Sequence, residues 1–230
     1  MNDVDLIALA RSMDQTLLKP TVGLREGAAW IAANRDHGFA TLCVSPFLVP
    51  TAADLLAGSM TAVCSVVGFP LGYALTSSKS QEAAVLAVLG CKEVDMVINV
   101  AALLEGDRSY VLDDIGAVVA AVAQVSDGAS SVKVILETGH LEEGDIIRGC
   151  RIARQAGAAF VKTSTGFGPR GASVRDVEIM RDTVGDDLGI KAAGGIRDLD
   201  AALAMLAAGA TRLGTSAGAE ILAEATARGI

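Results

Sequence analysis

Aromatic side chains are scarce, at 3% of the 230 residues, so any core this chain builds is filled by Ala, Val, Leu and Ile. Positive charge is in deficit: the formal net charge is −8. Nucleic acids and anionic membranes both require a basic surface, so neither is an expected partner, and an anionic ligand would need local positive groups. No CxxC pair occurs, and Cys43, Cys64, Cys91 and Cys150 are scattered through apolar segments. They read as buried thiols of a reducing compartment, without disulfides. The two histidines, His37 and His140, lie far apart and lack metal-ligand spacing, which disfavours a histidine-built zinc site and a metal-dependent reaction. Long apolar runs are missing as well, since nothing uninterrupted approaches the roughly 18 residues of a membrane span. The opening MNDVDL has no basic region ahead of an apolar stretch, so a cytosolic protein is expected.

What the chain does have is regular alternation. Hydrophobic residues make up 51%, ample for one large core. After a leading helix near residues 3–11, short β-branched runs alternate with Ala/Leu-rich helical stretches. The strands fall at about 13–16, 41–45, 61–67, 93–99, 131–137, 160–165, 190–195 and 211–215, and the helices at about 24–37, 47–57, 77–90, 108–125, 142–156, 173–183, 198–208 and 217–227. No long linker or repeat interrupts them, so residues 1–230 are expected to form one domain, an eight-stranded parallel β/α barrel. A doubly wound open sheet is the alternative, because the first strand is short and poorly signalled.

Strand periodicity sorts side chains by face. Helices on the outside of a barrel demand apolar outward residues, which leaves polar strand residues only the interior. In EVDMVINV, Met96, Ile98 and Val100 share the outer face, so Asp95, Val97 and Asn99 point inward. In SVKVILE the same logic sends Lys133, Ile135 and Glu137 to the lumen, and on the second strand Cys43 and Ser45. Lys162 in FVKTSTGFG and Lys191 in IKAAGGIR also turn inward, and Asp14 on the first strand is a further candidate. Barrel interiors are normally packed with branched apolar side chains, so this polar cluster is costly and suggests chemistry.

A lysine there can be a nucleophile. With an unperturbed pKa near 10.4, only about one amine in two thousand is neutral at pH 7, so the pKa has to be depressed by burial and a neighbouring cation. Lys191 beside Lys162 would supply that cation. The neutral amine could then form a Schiff base with a substrate carbonyl, with Asp95 and water moving protons. Structural ion pairing, Asp95 with one lysine and Glu137 with Lys133, remains the plain alternative.

Phosphate binding is a separate signal. AAGGIRD and RLGTSAG each place glycines between a strand and a helix, where the last two loops of β/α barrels commonly bind phosphate through backbone N–H groups. The candidates are Gly194, Gly195, Gly214 and Ser216, the last as helix N-cap and hydroxyl donor, with Thr165 and Gly166 from a third glycine loop. Tight turns and an ordinary cap would look the same. GFGPRG at 166–171 matches the dinucleotide pattern GxGxxG, but Pro169 and Gly171 interrupt the helix start that this pattern needs.

The segments DQTLLKP, GFATLCVSP, VVGFPLG, EVDMVINV, VKVILETG, FVKTSTGF, IKAAGGIR and RLGTSAG span nearly the whole chain in order. In them the chain resembles the deoxyribose-phosphate aldolases, class I aldolases of the β/α-barrel fold. The resemblance implies reversible cleavage of 2-deoxy-D-ribose 5-phosphate to acetaldehyde and D-glyceraldehyde 3-phosphate, without a metal or organic cofactor. It makes Lys162 the Schiff-base lysine and Asp95 with Lys191 the proton-relay and pKa-tuning pair, with Asp14 and Cys43 lining the pocket. Gln15, Ser45 and Ala217 depart from residues common in the family, and the C-terminal tyrosine of some members is not matched in ATARGI. A lysine-dependent lyase acting on a longer phosphosugar and a non-enzymatic phosphosugar-binding barrel are the competing expectations. A homo-oligomer, as a dimer, is expected for so Ala-rich a chain.

Overall fold

The computed structural model describes residues 3–229. Eight parallel strands close a barrel in chain order: β1 (Met13–Leu17), β2 (Thr41–Val44), β3 (Ala62–Val67), β4 (Cys91–Val97), β5 (Ser131–Ile135), β6 (Phe160–Lys162), β7 (Gly189–Ala193) and β8 (Arg212–Thr215). The poorly signalled first strand is the one that closes the ring, with Asp14 opposite Thr41 of β2 and Gly214 of β8. That pairing rules out the open doubly wound sheet.

Helix α1 (Asp3–Arg11) leads the chain, and α2 (Leu24–Asn34), α3 (Val49–Leu55), α4 (Thr76–Val88), α5 (Val100–Leu104), α6 (Arg108–Ser126), α7 (Glu143–Gln155), α8 (Val174–Val184), α9 (Leu199–Ala207) and α10 (Gly218–Ala227) follow the strands. Two apolar regions result. Outward strand residues such as Leu42, Val44, Met96, Val134 and Ile190 join the helices in one continuous layer. Cys43, Cys64 and Val66 form a separate cluster with Leu18 and Phe69. This division is what strand alternation requires of a barrel whose outside is covered.

By length and composition α6 could cross a membrane. Its buried residues Val111, Asp114, Ile115, Val118 and Val122 instead recur at helical spacing and face α4 and β5.

Several strand ends differ from expectation, each for a local reason. β4 stops at Val97, because Asn99 accepts from the Ala102 N–H and caps the short α5, so Asn99 and Val100 are not strand residues. β5 stops at Ile135, since Glu137 adopts a left-handed conformation (φ 57°). The helix expected from residue 47 starts as a 3₁₀ turn, Pro46–Leu48, and becomes α-helical at Val49, with Pro50 in the first turn where its missing N–H leaves no bond unmade.

Candidate active site

Alternation along six strands brings seven ionisable groups together inside the barrel. Asp95 is their hub. Its Oδ2 accepts from Lys162 Nζ at 2.8 Å and from Lys191 Nζ at 2.7 Å, and its Oδ1 accepts from Lys133 Nζ at 2.8 Å. Asp14 is the second hub, accepting from Lys191 at 2.5 Å and from Arg212 at 2.6 Å, with Lys133 at 3.3 Å. Glu93 completes the lower layer against Lys133 at 2.6 Å and Arg212 at 2.8 Å. Phe160 closes it, with the Arg212 guanidinium 5.1 Å from its ring centroid.

Lys133 is therefore paired with Asp95 and Glu93, not with Glu137. Glu137 has left the strand, and its carboxylate instead accepts from the backbone N–H and the hydroxyl of Thr165. Glu93 and Arg212 were missed in the sequence, although Glu93 lies two residues before Asp95, already placed inside, and Arg212 two before Gly214, already a phosphate-loop candidate, so each shares the face of a residue singled out.

Burial works to raise the pKa of Asp95, but the ammonium groups of Lys133, Lys162 and Lys191 outweigh it and hold the carboxyl well below the usual range. Asp14 is likewise lowered against its own burial, by Lys133, Lys191 and Arg212. Full burial works to lower Lys191, but the Asp14 and Asp95 carboxylates reverse that, and its pKa rises. Lys133 is raised for the same reason. Asp95 is thus a carboxylate and Lys191 a cation throughout the neutral range.

These directions give a pH prediction. The lowered carboxylates contribute their stability fully above about pH 4 and lose it as pH falls through their folded-state values, while the raised lysines contribute fully below about pH 10 and lose it as pH rises through theirs. Thermal melts of Asp14→Asn between about pH 2 and 6 should show a flatter acid limb than the parent protein. An acid limb as steep as the parent's would remove Asp14 from the titrating set.

Of the three central lysines, Lys162 alone borders a cleft at the C-terminal end of the barrel. The cleft measures about 210 Å³, and Thr165, Gly166, Gly194, Gly195, Gly214 and Ser216 line it with Lys162. Seven of the expected site residues thus share one cavity. Asp14, Asp95, Lys191 and Cys43 do not line it, being fully buried. Cys43 faces Cys64 across the β2–β3 pair, and a thiol hydrogen bond from Cys64 lowers its pKa while burial pushes Cys64 up. Cys43, Cys64 and Asp95 offer atoms within 4.8 Å of one another. The Asp95 oxygens are already taken by three ammonium groups, which makes this a poor set of donors for a metal ion.

The glycine turns are built for close approach. Gly166, Gly194 and Gly195 have φ of +87°, +88° and +82°. A Cβ on Gly171 would lie 2.1 Å from the Gly194 carbonyl oxygen, so the β6 and β7 loops meet backbone to backbone. No helix begins in 166–171, since α8 starts at Val174 behind its Ser173 cap, and the dinucleotide pattern has no structural counterpart. Ser216 is not a cap: position 217 precedes α10 without a side-chain cap bond, and Ser216 stands exposed on the cleft wall. Gln15 is a clamp, donating to Asn34 Oδ1 and accepting from Gly218 N. One further residue was not singled out in the sequence: Arg197, directly after IKAAGGI, lines the same cleft and has no acidic partner among the described residues. Its signal was a lone cation beside a glycine turn in an acidic chain.

The chain matches a family model described as DeoC/LacD family aldolase over residues 12–224. It is 45% identical over 225 residues to the deoxyribose-phosphate aldolase of Caldanaerobacter subterraneus subsp. tengcongensis, covering 98% of this chain and 96% of that one. To deoxyribose-phosphate aldolase 1 of Bacillus licheniformis it is 48% identical over 219 residues, covering 95% and 96%. Among solved structures, the deoxyribose phosphate aldolase of Aeropyrum pernix, described as tetrameric, matches with a TM-score of 0.86 at 29% identity, over 98% of this chain and 93% of that one.

Proposed function

This chain belongs to the DeoC/LacD family of aldolases, and from that premise we propose that it cleaves 2-deoxy-D-ribose 5-phosphate reversibly to acetaldehyde and D-glyceraldehyde 3-phosphate through a Schiff base on Lys162. The observation that carries the reading is the placement of Lys162. Its Nζ touches a single carboxylate and faces the glycine-lined cleft, whereas Lys133 and Lys191 are enclosed by two or more carboxylates each. With all seven groups ionised the cluster holds four cations against three carboxylates, and a neutral amine at Lys162 leaves it balanced.

That amine attacks C1 of the open-chain sugar, and the carbinolamine takes up one proton from solvent and loses water to give an iminium ion, which restores the extra positive charge next to Asp95. The C3 hydroxyl gives up its proton through water, which relays it toward Asp95, and the C2–C3 bond breaks with its electrons drawn into the iminium. Glyceraldehyde 3-phosphate leaves and an enamine of acetaldehyde remains. Protonation at the enamine carbon by way of Asp95, Lys191 and water, followed by hydrolysis, frees the lysine. Asp14 acts through Lys191, holding it as the cation of the pair.

The phosphate belongs at the other end of the cleft, against the N–H groups of the glycine turns, the Ser216 hydroxyl and Arg197. Arg197→Ala should raise KM for the phosphorylated sugar about tenfold, the loss of one charge-assisted hydrogen bond. The rate with unphosphorylated 2-deoxyribose should stay unchanged, and an equal loss on both sugars would move the phosphate elsewhere. The Aeropyrum relative's description as tetrameric supports a homo-oligomer here, which light scattering checks.

Borohydride reduction in the presence of acetaldehyde, with the modified peptide sequenced by mass spectrometry, tests the reaction class and the nucleophile together. A label at Lys162 is expected, and its absence overturns the covalent mechanism. Cleavage of a ketose phosphate with no condensation of acetaldehyde and glyceraldehyde 3-phosphate overturns the substrate instead.

A further inference from the structure

Helix α4 directs a polar stripe into the protein. Thr76, Lys79 and Glu82 fall at i, i+3 and i+6, on one helix face. Lys79 is fully buried, and its Nζ donates to Asp114 Oδ2 of α6 at 2.7 Å and to the carbonyl of Val97, the last residue of β4, at 2.9 Å. Thr76 Oγ1 donates to the other Asp114 oxygen at 2.8 Å, and Glu82 Oε2 accepts from the Gly68 N–H at 2.9 Å.

Both ends of the 68–72 segment are fixed above this stripe. A Cβ on Gly68 (φ +60°) would lie 3.0 Å from Lys79 Cε, so the lysine stem is the floor beneath it. At the other end, Gly72 donates to the Gly68 carbonyl at 2.8 Å, and a Cβ there would fall 1.9 Å from the Ile98 oxygen, which excludes every side chain. Between them, Phe69 packs edge-on against Phe167 at 5.4 Å, and Pro70 lines both clefts that flank the catalytic one.

The reaction makes no use of Lys79 or Asp114, and burying an ion pair is costly where two apolar side chains would pack at least as well. What apolar residues could not do is donate to the Val97 carbonyl, two residues past Asp95, while also anchoring the helix beneath the rim. We propose that Lys79, with Thr76, Glu82 and Asp114, is a positioning set that fixes the end of β4 and the 68–72 rim. It thereby sets the position of Asp95, two residues before Val97 on the same strand. The inference rests on the aldolase reading above.

The test is Lys79→Met/Asp114→Leu, which removes both charges and leaves no orphan ion. Hydrogen exchange at the amides of residues 68, 69, 71 and 72 should quicken about tenfold, and kcat/KM for deoxyribose 5-phosphate should fall about tenfold, while acetaldehyde is still trapped on Lys162. A pair that only stabilises the fold would shift the melting temperature and leave both readouts alone, so parent-like kcat/KM or parent-like exchange overturns the proposal. Should the double variant not fold, Glu82→Met decides, because it frees the Gly68 N–H and leaves the ion pair in place. Faster exchange at Gly68 with lowered kcat/KM supports the mount, and parent values in either overturn it. If the parent protein does not cleave deoxyribose 5-phosphate, the substrate reading fails, and the exchange measurement alone then judges the mount.

Discussion

Lys162→Ala is expected to abolish turnover, with kcat reduced by more than about 10⁴-fold, while the barrel stays folded. The first half follows from the covalent route: without the amine there is no iminium, and no other group at the cleft can draw the electrons of the C2–C3 bond. The second half follows from the ion pairs. Asp95 keeps Lys133 on one oxygen and Lys191 on the other when Lys162 is removed, so no buried carboxylate is orphaned. The deletion leaves three cations, Lys133, Lys191 and Arg212, matched to three carboxylates, Asp14, Glu93 and Asp95, so the melting temperature should hold or rise. Kinetics with reductive trapping check the first half, and a thermal melt checks the second. Residual turnover with the label transferred to Lys191 or Lys133 would show that the barrel can present a second nucleophile, and the assignment to Lys162 would be lost.

Much of this site was readable in the chain because strand alternation is a strict rule wherever one face must be apolar. It placed Asp95, Lys133, Lys162 and Lys191 inside, and the structure brings all four into one bonded network. The same rule extended by one step would have found Glu93 and Arg212. It failed at the strand ends, where periodicity carries no information about when the chain turns. Glu137 looked like an interior partner for Lys133 because it continued the pattern, yet a single left-handed residue removes it from the strand and hands its carboxylate to the loop that follows Lys162. Ser216 looked like a cap because serine before an alanine-rich helix usually is one, but the helix begins one residue later than that role allows. Lys79 and Asp114 were illegible for another reason. They are 35 residues apart on different helices, and a polar stripe on a helix ordinarily marks its solvent face. Only the packing of α4 on α6 turns that stripe inward.

Asp95→Asn should cost both stability and rate, and the way the two losses combine separates a counter-ion from a proton carrier. The change is nearly isosteric, so packing is kept. The amide offers one acceptor oxygen where the carboxylate offers two, and its NH₂ turns donors toward lysines that have only donors to give. Three buried lysines lose their shared carboxylate, and breaking such a buried network from one side costs about 3–5 kcal/mol. Rate should fall about 10²–10⁴-fold, the range for loss of a positioned acid–base group. If Asp95 served only as a counter-ion, the deficit would sit in stability and in formation of the trapped adduct, and an adduct once formed would turn over normally. If it moves the proton, the variant should still be labelled by acetaldehyde and borohydride at Lys162, while exchange of the acetaldehyde methyl protons with deuterated solvent, which reports protonation of the enamine carbon, slows in step with kcat. Because the Asp95 carboxyl lies well below the usual range in the folded protein, the parent's exchange rate should not titrate with this group near neutral pH. Undiminished exchange in the variant would remove Asp95 from the relay and leave Lys191, with water, as the group that delivers the proton.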